Sequence, residues 1–246
     1  MAALGWLCAV FAGLWVLGIL LSRHIQGLIL LLSGSPRIAT ALYDLLVLPG
    51  VVLHELSHAL IALLLGLRVV RINLFQFRSQ NDVRQGEVVV TKADPLRMSL
   101  VGAAPLFGGV AAIVLLVAWL APPALGLDVA VLGQLRLLLG DLRSAVVLYL
   151  LFAIANTMFP SEADREAWWV VGVAAVIGVL AIFALGIQPT IPPRWMLTLT
   201  TQADRLVTAL LPVVLLDVAC LAIVLVFETL IGRLRGRRVV YRSSKL

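Results

Sequence analysis

The sequence predicts an all-α polytopic membrane protein, with about six transmembrane helices and a small β-hairpin at the membrane surface after the second. Two observations carry this. Apolar residues make up 62% of the 246 and charged residues 13%, against about 45–50% and about 25% in soluble proteins. A bilayer-spanning helix needs about 20 mostly apolar residues. Six runs come close to or exceed that length: Leu4–Leu21, Ile38–Leu65, Met98–Leu120, Leu142–Phe159, Trp168–Gly186 and Leu206–Ile231. Little chain remains for a soluble unit. Residues 1–246 therefore read as one transmembrane domain, ending in a basic tail over 232–246.

The first run has no basic leader and no small-residue cleavage site, so it reads as a retained anchor. Ile25–Ser33 is apolar but too short to span, which suits an interfacial or re-entrant piece or a loop. Gly34, Ser35 and Pro36 break the chain before the second span. Beyond that span, Arg68–Phe77 carries β-branched and aromatic residues in partial alternation. Ser79–Gly86 is polar and turn-like, and Glu87–Thr91 is a second short strand, which together predict the hairpin. The third span opens on Val101–Gly109, a small-residue run of the kind that lets helix backbones approach closely in lipid. The fourth runs into Ala155–Glu166, where Pro160 disfavours helix at Phe159 and predicts extended chain around Asn156–Ser161. Cys8 and Cys220 lie in different spans without C-x-x-C spacing and read as small apolar residues.

The net charge of +6 is no nucleic-acid footprint in this context; its distribution matters more. With both termini cytoplasmic, the six-span topology places thirteen of the nineteen Lys and Arg on the cytoplasmic side. They lie in the Gly66–Arg97 loop, at Arg165 and in the tail after Ile231. The positive-inside rule favours that orientation. A basic tail is also suited to anionic lipid headgroups.

The second span holds His54-Glu55-Leu56-Ser57-His58, an H-E-x-x-H sequence that uses two of the chain's three histidines. On a helix, residues four apart share a face, about 6 Å apart in rise. Two imidazoles so placed can bind one Zn²⁺, and the intervening Glu can take a proton from water activated by the metal. Ionisable groups in a membrane span are costly, which makes them candidates for function. The plainer alternative is a pair of core histidines bonded to neighbouring helices. Catalytic zinc usually has three protein ligands and an open position, so a third must come from elsewhere. Asp164 and Asp217 are the main candidates; Glu162, Asp44 and His24 are weaker.

From Leu45 to Arg165 the chain resembles the site-2 protease family of intramembrane zinc metalloproteases. The resemblance rests on H-E-x-x-H in an apolar helix, the strand-rich Arg68–Thr91, Gly102-Ala103-Ala104-Pro105-Leu106, and Asn156…Pro160…Asp164. The family has Asn…Pro…Asp-Gly at the last position; here Arg165 replaces the Gly. The chain leaves no room for an appended PDZ-like or CBS-like domain and reads as a minimal core. The resemblance implies zinc held by His54, His58 and Asp164, and Asn156 contacting the substrate backbone or the oxyanion; the plainer alternative is that Asn156 only caps the broken helix end. Asp217 is the rival ligand, because Pro212…Leu216-Asp217 also looks like the family's Pro…Leu-Asp. The expected reaction is hydrolysis of peptide bonds within or near a transmembrane segment of another protein, with Glu55 as general base. The hairpin could pair with an unwound substrate as an added strand. The alternative function is a non-proteolytic metal-binding scaffold or transporter. The nearly pure Leu/Val/Ala/Ile character of the other spans argues against a permeation path. No nucleic-acid partner is expected, and the sequence leaves the oligomeric state open.

Overall fold

The computed structural model describes residues 2–78, 82–120, 142–186 and 192–241. Among these are seven helices and one two-stranded antiparallel hairpin. In chain order they are α1 (Ala2–Ser33), α2 (Pro36–Leu46), α3 (Leu48–Leu64), β1 (Val69–Arg78), β2 (Asp82–Val90), α4 (Pro95–Leu120), α5 (Leu142–Ala155), α6 (Trp168–Ala184) and α7 (Pro193–Arg235). Three of them, α1, α4 and α7, are long and apolar enough to cross a membrane; the count becomes four if the bent pair α2–α3 is one span. The expected fourth and fifth spans are shorter helices of 14 and 17 residues.

Several boundaries differ from the sequence expectation, each for a local reason. Ile25–Ser33 is not a separate piece: α1 runs through it for 32 residues, about 48 Å at 1.5 Å per residue. Ser22, Arg23 and His24 are polar but do not break a helix, and the break comes at Gly34, whose φ is +69°. The span expected over Ile38–Leu65 is two helices that meet at 69°. Pro49 lacks an N–H and sits in the first turn of α3, where that donor is not needed, so a new helix starts there. The hairpin consequently follows the third helix, not the second. The third span starts three residues early, at Pro95, because Asp94 caps it: its Oδ1 accepts the Arg97 N–H at 3.0 Å. The last span is extended at its front and forms a 43-residue helix. Its helical end also takes in Gly232–Arg235, the first part of the expected tail. Arg242 and Lys245 of that tail lie outside the described residues.

In the hairpin, β2 reaches back to Asp82, so most of the expected turn is strand; its tip, residues 79–81, lies outside the described residues. The register pairs Val69 with Val90 and Phe77 with Val83, with an irregularity between Val69 and Arg71. Val69 and Val90 pack with Ala93 against Ala62, Leu67 and Val101, which ties the hairpin base to α3 and α4.

The main core joins α1, α4, α5 and α7 through Val10, Leu14, Ile113, Val147, Leu151, Leu210 and Val213. A second cluster of Leu21, Ile25, Tyr43, Val47, Val51 and Phe152 joins α1, α2, α3 and α5. α6 buries no residue. The small residues of α4 do allow close approach. A Cβ at Gly108 would overlap Ser57 of α3, and one at Gly109 would overlap Met158. The C-terminal end of α7 returns to α1, where Arg235 Nη1 donates to the carbonyls of Leu31 (2.6 Å) and Leu32 (3.0 Å). Those are among the last carbonyls of α1, which lack helical partners.

Candidate metal centre

α3 carries His54, Glu55 and His58 as the sequence predicts. Each imidazole is fixed from behind by a backbone carbonyl. His54 Nδ1–H donates to Thr157 O at 2.7 Å, and His58 Nδ1–H donates to Val101 O at 2.8 Å. A carbonyl only accepts, so both Nδ1 atoms carry protons and the Nε2 atoms are left to face the site. The two Nε2 atoms are 3.2 Å apart. Metal-binding histidines are commonly held in this way by a group behind the ring.

Asp164 arrives from the segment between α5 and α6. Its Oδ1 is 3.1 Å from His58 Nε2 and its Oδ2 is 3.6 Å from His54 Nε2. Oδ2 is already engaged, since it accepts from the Ser161 N–H and the Ser161 hydroxyl, both at 2.7 Å. Oδ1 is therefore the freer oxygen. Burial works to raise the Asp164 pKa, but the imidazoles of His54 and His58, and then Ser161, outweigh it and hold the carboxyl well below the usual range. It is an anion at neutral pH.

His54, His58 and Asp164 thus form a group that can hold a metal ion. The donor set fits one. Ligand bonds of about 2.0–2.1 Å in a tetrahedron put the donor atoms about 3.3 Å apart, and the observed separations are 3.1, 3.2 and 3.6 Å. Lone pairs and a negative charge converging at such distances repel one another unless a proton or a metal cation lies between them.

A cavity of about 970 Å³ opens onto the three residues and is also lined by Glu55, Asn156 and Glu162. Glu55 is 5% exposed and His58 6%, and both line this cavity. Of the other candidate ligands, Glu162 lines the cavity without joining the group. His24 is paired with Glu228 at 2.7 Å. Asp44 is buried on α2, and Asp217 is fully enclosed on α7, where its partner is Asn156. Asn156 lines the cavity, but its Nδ2 donates to Phe152 O (2.9 Å) and Asp217 Oδ1 (3.2 Å), and its Oδ1 is enclosed. In this arrangement its amide faces α7.

Sequence reading missed Thr157 and Val101, because backbone carbonyls carry no residue-type signal. It also missed Ser161, although Ser-x-x-Asp is the spacing of a side chain-to-backbone turn. Gly102 belongs to the site as well. A Cβ there would fall on the Asp164 carbonyl oxygen, so α4 and the Asp164 segment touch only because Gly102 has no side chain. Gly102→Ala is expected to displace that segment. Overpacking of this kind costs about 1–3 kcal/mol, and metal affinity should fall although every ligand is retained. Titration of the variant with zinc checks this; wild-type affinity would mean that the segment does not depend on this contact.

The chain matches no family model, no curated protein and no solved structure.

Proposed function

We propose that this chain is an intramembrane zinc metalloprotease of the site-2 protease type, which hydrolyses peptide bonds within or near transmembrane segments of other membrane proteins. The observation that carries the reading is the meeting of His54 and His58 with Asp164, a residue 106 positions beyond His58 in the chain, at metal-ligand separations beside Glu55. The same three residues are those that the site-2 protease resemblance assigns to zinc.

His54 and His58 offer Nε2, and Asp164 offers Oδ1. A zinc ion held there supplies a Lewis acid that polarises the scissile carbonyl and makes water a stronger acid. Glu55 accepts a proton from the attacking water. It returns that proton to the amine nitrogen as the C–N bond breaks. The Nδ1 hydrogen bonds to Thr157 and Val101 keep both imidazoles in the tautomer that presents Nε2. Asn156 reaches a substrate backbone only by turning its amide from α7 into the cavity. The substrate helix unwinds locally to present a peptide bond, and a strand of the hairpin is suited to pair with the unwound chain.

The test is cleavage of single-span membrane proteins by the purified chain in detergent or liposomes. Activity is expected to vanish with a chelator and return with zinc. No cleavage across a broad substrate panel by the zinc-loaded protein would favour the non-proteolytic metal-site alternative.

The proposed topology has six spans, with α5 and α6 crossing as short helices and both termini in the cytoplasm. The hairpin then faces the cytoplasm, so Ser79→Cys in a background lacking Cys8 and Cys220 should react with an impermeant thiol reagent only from that side. Reaction only from the opposite side would invert the orientation.

A further inference from the structure

Asp217 is a buried carboxyl that the metal site does not use. Asp217 sits within α7 at 0% exposure. An ionisable side chain inside an apolar span is costly to keep. Asp217 Oδ1 accepts a hydrogen bond from Asn156 Nδ2 at 3.2 Å, and its Oδ2 is enclosed without a partner. The same holds for the other half of its neighbour's amide: Asn156 Oδ1 is also enclosed without a partner. Two side chains already joined by one hydrogen bond thus each retain one buried acceptor, and buried acceptors demand a donor. No ion pair to Asp217 is present among the described residues that would supply it. A proton on Oδ2 would, because a carboxylic acid both donates and accepts, as an amide does.

The position of Asn156 gives the pair a consequence. Asn156 directly follows α5, and its Nδ2 also bonds back to Phe152 O at 2.9 Å. The next residue, Thr157, gives the carbonyl that holds His54 Nδ1. From the other side, Gly50 of α3 lies so close to Ala153 and Thr157 that a Cβ there would overlap both. The end of α5 is therefore gripped between α3 and the Asp217 side chain.

We propose that Asp217 is a positioning residue for the metal centre: as a carboxylic acid it forms a reciprocal pair with Asn156, which fixes the end of α5 and, through the Thr157 carbonyl, the imidazole of His54. The proposal rests on the reading of His54, His58 and Asp164 as metal ligands.

The test uses the full chain with Co²⁺ as a spectroscopic probe in place of zinc. Asp217→Leu puts an apolar residue into an apolar span, and Asp217→Asn keeps a reciprocal pair as two amides. Asp217→Leu is expected to weaken Co²⁺ binding about 10–100-fold, the range for groups that orient a metal-bound imidazole, and to alter the visible d–d spectrum. Asp217→Asn should restore both. Asn156→Ala should reproduce the loss, and adding Asp217→Leu to it should cost nothing further, because the two side chains act as one. Infrared difference spectra of wild type minus Asp217→Asn should show the C=O stretch of a protonated carboxyl. Unchanged affinity and spectrum in Asp217→Leu, additive losses in the double variant, or no acid band would each overturn the proposal. Should Asp217→Leu not fold, Asn156→Ala and the Asp217→Asn infrared difference still decide it. Failure of wild type to bind Co²⁺, or full binding by His54→Ala, would instead overturn the ligand reading and this inference with it.

Discussion

Glu55→Gln is expected to keep zinc and fold yet lower cleavage of a transmembrane substrate by about 10²–10⁴-fold, the usual contribution of a general base. That corresponds to about 2.7–5.5 kcal/mol of barrier. The amide has the shape of the carboxylate but cannot accept the proton. Glu55 is one residue from His54 and three from His58 on α3, so it projects beside the ion without needing to bind it. Its 5% exposure matters for the design of the measurement. Changing a buried charge beside a cation shifts metal affinity as well, so wild type and variant must be compared at equal zinc occupancy. Single-turnover cleavage at saturating zinc isolates the chemical step. Equal rates would remove Glu55 from the mechanism; a rate deficit that disappears with added zinc would make it a metal-affinity residue.

What the sequence made legible, and what it hid, divides along physical lines. The pair His54 and His58 was readable because helical spacing alone sets it on one face, with no tertiary information needed. The break after α5 was readable only in part: Pro160 acts on its own neighbour, but the helix ends earlier, at Ala155, and Asn156 and Thr157 form a turn where extended chain was expected. The bend before α3 was not. Pro49 lies in a continuous apolar run, and such a run can tolerate a proline when packing satisfies the freed backbone groups. The continuation of α1 past Leu21 was hidden by Arg23 and His24, which look like the edge of a span. His24 keeps its place because Glu228 lies 204 residues further along the chain, a pairing that no local pattern encodes. The choice between Asp164 and Asp217 had the same character. Both carry a Pro upstream and both border apolar sequence. Only tertiary packing, with Gly102 admitting the Asp164 segment against α4, brings one of them to the histidines.

The broken backbone around Asn156–Ser161 is the feature on which the site depends. An uninterrupted α5 would carry Thr157 O into its own hydrogen-bond ladder and away from His54. The helix instead ends at Ala155, and the Thr157 hydroxyl turns back to Ala153 O at 2.9 Å. The Thr157 carbonyl is then free to accept from His54 Nδ1. Residues of α3 and α4 line the cavity beside this segment, and irregular backbone inside a membrane is tolerated only where protein or a water-filled cavity surrounds it.

The ligand substitutions should give the largest change in metal binding. His54→Ala, His58→Ala and Asp164→Ala each remove one of three converging donors. Groups behind a ligand are worth about 10–100-fold in affinity, so losing a ligand itself should exceed about 100-fold and abolish stoichiometric zinc in the purified protein. Asp164→Asn separates the two tasks of that residue. An amide oxygen can still accept from Ser161 and keep the segment folded, but it brings no negative charge to the ion. Asp164→Asn should therefore keep the thermal stability of the metal-free wild type while losing zinc as Asp164→Ala does. Asp217→Ala is expected to differ in kind: it should still bind one equivalent at saturating zinc, with weakened affinity only. Elemental analysis after dialysis, together with titration to saturation, distinguishes the two behaviours. If Asp217→Ala lost zinc at saturation while Asp164→Ala kept it, the third ligand would come from α7, and the Asp164 segment would be left with only its turn around Ser161.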